Sequence, residues 1–398
     1  MNSRERMLAS IAGESPDHVP CSFMLFYILY EHCRSDREFV EKQLELDLDA
    51  FVHVGHLNHS LHLYGGVDPR VRVEEWIEES GGGKLFCRKL HTPAGTLSGK
   101  VRQRDGWPSE GDFPLLKDWI VGRAEEVLVK PEEDLEKLAY LFAPITDESI
   151  RVLREEAAEA DKLARRHGLL QVGGWKGAVR PGLQVDPGVM ACDCMAWLSG
   201  FERIMILSLT APQLIKEYVR TIHEWNMKQI AVYLDVTQAD LIVRRGWYET
   251  SEFWTPETYH EIVAPTLRRE AELVHQAGRR YGYIITSAFV PLLDEILDSG
   301  IDVLIGLDPK EGKGTDLELV KSKFRTAGKA LWGGVSGPMS VETADAAETE
   351  RAVCEALDIL GPGGGFILSP VDNVRDNPEN AWKNTRRFID TWKSNRRL

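Results

Sequence analysis

With 398 residues, 43% of them hydrophobic, the chain can bury a large core and suits one large α/β domain with insertions. A formal net charge of −14 argues against a nucleic-acid partner, because phosphate binding needs concentrated Lys and Arg. No run of about 18 apolar residues occurs, and the N-terminus "MNSRERMLASIAGESP" lacks a secretory pattern, so neither a membrane span nor a signal peptide is expected. Six scattered cysteines fit a reducing cytoplasm better than a disulfide framework.

In chain order, two apolar stretches read as the first strands, "VPCSFML" (19–25) and "DAFVHVG" (49–55). A region at 71–107 then alternates apolar and polar residues between Gly-rich turns, which predicts a β-meander. After residue 168 short apolar strands alternate with amphipathic helices. These strands are "LLQVGGW" (169–175), "ADLIVRR" (239–245), "YGYIIT" (281–286), "DVLIGL" (302–307), "ALWGGV" (330–335) and "GFILSP" (365–370). Eight strands followed by helices indicate a single (β/α)₈ TIM barrel over 1–398, with the meander inserted after the second strand near the mouth. Chemistry is expected where the strands end at their carboxyl side.

Several strand ends carry suitable side chains. "FVHVGHLNHSLH" places His53, His56, His59 and His62 every third residue, a run able to supply metal ligands or an acid/base. His53 and His56 lie nearest the strand end, whereas His59 and His62 read as surface or insertion residues. "VRRGWYETSEFW" offers Arg244 and Arg245, of which alternation lets only one face the mouth and clamp a carboxylate or phosphate. Glu249 and Glu252 follow as acid/base candidates, and Trp247 and Tyr248 suggest an apolar-walled pocket that packing beneath the loop would also explain. Thr255 before Pro256 reads as a helix cap.

Trp175 ends the third strand; Tyr283 and Thr286 lie along "YIITSAF"; Asp308 follows the sixth strand and Asp372 the eighth. Asp308 either serves the substrate or braces the turn at Pro309. The Cys192–Cys194 pair lacks two further zinc ligands nearby and reads as helix packing.

The stretches "RERMLASIAGESPDHVP", "WTPETYHEIVAPTLRREAELVHQAG", "PLLDEILDSGIDVL" and "LGPGGGFILSPVDNVRDNPENAWKNTRRFID" together resemble the uroporphyrinogen decarboxylase superfamily. Its members include porphyrinogen decarboxylases, cobalamin-dependent zinc methyltransferases and demethylases of methoxylated aromatics. The N-terminus and the long insertion look more like the methyltransferase and demethylase side. Decarboxylases of that superfamily carry arginines after the first strand, where this chain has "SFMLFYILYEHC", and a catalytic aspartate where it has His56. Zinc methyltransferases carry His-x-Cys and a later Cys, where this chain has Ile284, Thr286 and Asp372.

The resemblance therefore implies a corrinoid-dependent demethylase lacking the usual zinc site. It would have a small-molecule substrate, cobalamin on a separate corrinoid protein and a homodimeric state. His56, Glu249 and Asp372 are the expected catalytic residues. His53, Trp175, Arg245, Trp247, Tyr248, Tyr283, Thr286 and Asp308 are expected to bind substrate, and no metal set is assigned. The alternative is a cofactor-independent decarboxylase or lyase of another carboxylated substrate.

Overall fold

The computed structural model describes the chain except for residues 32, 56, 58–66, 81–82, 104–115, 117, 143, 176–187, 312–313, 373–375 and 398. Twelve strands occur among the described residues, in two sheets. In chain order they are β1 (Phe51–His53), β2 (Arg72–Ser80), β3 (Gly83–Thr92), β4 (Gly95–Arg102), β5 (Ala124–Glu126), β6 (Leu170–Gly173) and β7 (Val189–Met190). They continue with β8 (Leu241–Arg245), β9 (Arg280–Ile284), β10 (Val303–Leu307), β11 (Ala330–Ser336) and β12 (Phe366–Val371).

The larger sheet is parallel and runs β1-β6-β8-β9-β10-β11-β12, with short β7 added to the end of β8. These strands are short, rich in β-formers and buried along their length apart from Arg280 at the start of β9, as expected where helices cover the outer face. The expected first strand at 19–25 is reduced to one bridge, Cys21 to Leu368 of β12. Pro20 has no N–H to give, and the Cys21 N–H goes instead to the Asp49 carboxylate at 3.0 Å. The Asp49 N–H in turn donates to the Cys21 carbonyl at 2.8 Å, so this segment links the β12 edge to the approach of β1. The result is a curled parallel sheet of the TIM-barrel kind.

The main core draws side chains from Met7 to Trp392, including Phe51, Leu170, Val243, Ile305 and Trp332. Within the region at 71–107, residues 72–80, 83–92 and 95–102 form an antiparallel meander, β2-β3-β4, as the alternation implies. Its buried face is made by the cross-strand pairs Phe86–Val101 and Leu90–Leu97. β5 adds a fourth strand that the alternation did not announce. The described contacts of this sheet run to the helix Pro131–Leu138.

The amphipathic stretch "PETYHEIVAPTLRREAELVHQAG" (256–278) reads as helical, and it forms two helices. Pro265 cannot donate within a helix, and the chain breaks into Pro256–Ile262 and Ala264–Gln276. Thr255 caps the first of these, accepting the Thr258 N–H at 3.2 Å. No helix among the described residues is long and apolar enough to cross a membrane.

Candidate active site at the strand ends

Strand alternation decides which of the two arginines of β8 enters the barrel. A side chain added at Gly282 of β9 would meet Ile305, Leu241 and Val243, so even positions of β9 and odd positions of β8 point inward. Arg245 therefore faces the interior, and Arg244 faces the helices, reaching Thr266 and Glu270 of Ala264–Gln276.

Arg245 builds an aromatic wall. Its guanidinium lies 4.4 Å from the Trp197 ring centroid and 4.7 Å from that of Trp247, and its Nε donates to Asp193 at 2.7 Å. From Trp247 the wall continues to Trp175, with centroids 6.1 Å apart, and from Trp175 to His53 at 5.9 Å and Tyr27 at 6.2 Å. His53 Nε2 and the Tyr30 hydroxyl share a hydrogen bond of 3.1 Å. Four expected substrate-binding residues, His53, Trp175, Arg245 and Trp247, thus come together from three strand ends. Within this wall the indole N–H of Trp175 is buried and has no hydrogen-bond partner among the described residues. Such a donor is costly to leave unmet and suits an oxygen of a bound molecule.

A second group stands at the ends of β9 to β12. The backbone N–H of Asp308 donates to the Thr286 carbonyl at 3.1 Å, tying the two strand ends together. Asp308 is fully buried, and its Oδ1 accepts the N–H groups of Lys310 at 2.8 Å and Glu311 at 2.9 Å. Oδ2 has no hydrogen-bond partner among the described residues. Burial pushes the Asp308 carboxyl above its usual range, and the nearby charge of Asp372 adds to the rise. The N–H groups of Glu311 and Lys310 and the nearby Ser336 hydroxyl offset part of it, though that hydroxyl makes no hydrogen bond to Oδ2 of proper geometry.

Asp372 sits just past β12 in the left-handed region, φ 72°, a conformation that Asp tolerates better than most residues. The end of β11 packs tightly against it. A Cβ at Gly337 would fall 2.3 Å from the Val371 carbonyl oxygen and 3.2 Å from that of Asp372.

Glu249 and Tyr283 lie elsewhere than a mouth-facing role requires, in the layer between strands and helices. Glu249 Oε1 takes Arg244 at 2.6 Å and the Cys192 N–H at 3.2 Å, while Oε2 takes the Tyr283 hydroxyl at 2.7 Å. The network extends through Arg244 to Glu270, which also accepts from Tyr281 and pairs with His223. Burial alone would lower the Arg244 pKa, but Glu249 and Glu270 hold the guanidinium firmly charged. Odd positions of β9 face the helices, which is why Tyr283 joins this network rather than the wall. Tyr248 packs instead against Phe201 and Phe253, beneath the loop.

His56 lies outside the described residues, as do His59 and His62. Ile284 is buried hydrocarbon with no donor for a metal, and Thr286 offers only a hydroxyl. The zinc site of the methyltransferases does not fit these side chains. Among the described residues no three His, Cys, Asp or Glu are grouped to hold a metal ion. Burial raises the thiols of Cys192 and Cys194, with nearby carboxylates adding to the rise, so neither favours a thiolate.

Residues that the sequence did not single out complete the wall: Tyr27 and Tyr30 on one side, Asp193 and Trp197 on the other. Tyr27 and Tyr30 fall three apart in "FYILY", a spacing that was a signal in itself.

Comparison with known proteins adds three findings. The family model described as uroporphyrinogen decarboxylase (URO-D) matches residues 189–393, half of the chain. A methyltransferase from Methanosarcina mazei superposes with a TM-score of 0.57 at 16% identity, covering 99% of this chain and 99% of its own. A B12-independent methionine synthase from Shewanella sp. W3-18-1 gives a TM-score of 0.42 at 10% identity over 90% of this chain and 85% of its own. No curated protein matches the chain.

Proposed function

The chain belongs to the uroporphyrinogen decarboxylase family, and from that premise we propose that it is a methyltransferase of the demethylase type. It takes a methyl group from a small methoxylated or methylated substrate and passes it to cobalamin carried by a separate corrinoid protein. The observation that carries this reading is the wall of Trp175, Trp247, Tyr27 and the stacked Arg245 at the strand ends. Flat apolar faces with a few polar groups suit a small ring-bearing substrate.

Porphyrinogen as substrate is disfavoured by the same region. The segment after Cys21 is buried hydrocarbon and aromatic, with Phe23, Met24, Phe26, Ile28 and Leu29 where carboxylate-binding arginines would be needed. The departing oxygen needs a proton. His53 and Asp372, together with His56, supply acid candidates on the second and eighth strand ends.

A second reading rests on Arg245. An arginine inside the mouth also suits a cofactor-independent decarboxylase or lyase of a small carboxylated substrate. Anaerobic incubation with a panel of methoxylated compounds and a reduced corrinoid protein tests the first reading. Methylated corrinoid and demethylated product are expected. Release of CO₂ from a carboxylated substrate without any corrinoid supports the second reading and sinks the first.

A further inference from the structure

We propose that Asp308 is the acid that hands a proton to the oxygen left behind when the substrate's methyl group departs. The role rests on the methyl-transfer reading above and gives that reaction a residue that the resemblance does not supply.

Geometry carries the assignment. Asp308 is fully buried where β10 ends, and its carboxyl is held by one edge only. Oδ1 accepts two backbone N–H groups, and the Thr315 hydroxyl donates to the Asp308 carbonyl at 3.0 Å, locking the turn around it. A carboxylate kept solely to brace the turn at Pro309 needs no more than this. Oδ2 nonetheless stands buried with no hydrogen-bond partner among the described residues, which is expensive for an ionised oxygen. Because Oδ1 is occupied as an acceptor of two donors, the proton of the neutral acid resides on Oδ2. There the nearby Ser336 hydroxyl makes no hydrogen bond of proper geometry with it, which leaves the position open to a ligand oxygen.

The surroundings favour the protonated form. Burial, then the Asp372 charge, raise the carboxyl, against the Glu311 and Lys310 N–H groups and the Ser336 hydroxyl. The Lys310 ammonium is turned away to Glu348 at 2.5 Å, so among the described residues of the adjacent turn it does not neutralise the carboxyl. Asp308 is buried, whereas Asp372 is half-buried in a left-handed turn, so the two carboxyls stand in different surroundings.

The step balances simply. The ether C–O bond breaks with its electron pair staying on oxygen, and the methyl carbon bonds to the nucleophile supplied by the reduced corrinoid. The Asp308 O–H breaks as its proton passes to that oxygen, and the resulting carboxylate is reprotonated from water.

Asp308→Asn tests this without emptying the site, since the amide keeps an acceptor for the two N–H groups but has no proton to transfer. Infrared difference spectra of wild type against D308N should show a protonated-carboxyl band that titrates clearly above the ordinary aspartate value of about 3.9. Methyl transfer by D308N from an alkyl methyl ether should fall by about 100-fold or more, the usual range for a lost general acid. Transfer from a nitrophenyl methyl ether, whose oxygen departs without help, should fall far less. No such band, or equal slowing of both ethers, overturns the acid role while leaving methyl transfer intact. Absence of methyl transfer by wild type, with every ether and a reduced corrinoid, removes the methyl-transfer reading and this role together.

Discussion

Arg245 and Trp247 lie two residues apart and stack, with the guanidinium carbon 4.7 Å from the ring centroid. The same guanidinium covers Trp197 and holds Asp193 through Nε, so one side chain joins two aromatic faces to a buried carboxylate. Arg245→Lys keeps the charge but loses the planar fork and the double stacking. We predict a loss of about 1–2 kcal/mol in unfolding free energy, read from urea midpoints, together with a raised KM. An unchanged KM would separate Arg245 from substrate binding.

Trp175 offers a different contrast. Its indole N–H has no partner among the described residues, so Trp175→Phe removes a donor without breaking a hydrogen bond to any of them. Phe is smaller than Trp, so the space left in this buried position is expected to cost about 1–2 kcal/mol of stability. Substrate or product affinity, followed by calorimetry, should fall several-fold. Unaltered affinity would mean that the N–H faces no ligand.

Glu249 shows the opposite pattern. Glu249→Ala leaves Arg244 buried with half of its counter-charge, and breaking such a pair costs about 3–5 kcal/mol. The expected signature is a large drop in the denaturation midpoint. In protein that remains folded, the pH profile of turnover keeps its shape. A lost acid limb in that profile would return Glu249 to the chemistry.

His18 predicts an acid-sensitive clasp between the chain ends. Burial, then the charges of Arg6 and Arg396, lower its pKa from 6.5 to about 4. The unfolded state then binds more protons between these values, so stability is complete above about 6.5 and declines as pH falls toward 4. His18→Asn should flatten this part of a stability-versus-pH curve measured by chemical denaturation. A curve unchanged by the substitution would contradict the assignment.

Much of the architecture was legible because period and burial agree. The β8 to β12 strands are short apolar runs between clear helix signals, and each lies within a few residues of its expected position. The stretch at 19–25 looked equally strand-like, but Pro20 and the Asp49 carboxylate replace the ladder there, a tertiary effect that no pattern displays. Parity was the decisive missing quantity at the site. Once Gly282 is known to face inward, Tyr283 must face the helices, and it carries Glu249 with it. The sequence offered both Arg244 and Arg245, and only the pairing of β8 with its neighbours assigns one to the wall and the other to the buried network. Tyr27 and Tyr30 sit in an apolar segment whose pattern, beyond their spacing, gives no sign that it borders the wall.

The central claim is that the aromatic mouth releases a methyl group rather than CO₂. A substrate carrying a ¹³C-labelled methoxyl and an unlabelled carboxylate, incubated with the protein and a reduced corrinoid protein, tests it most directly. NMR should find the label bound to the corrinoid and the carboxylate still on the product, with transfer weakened in Arg245→Lys. Label retained on oxygen while CO₂ is released would contradict the account.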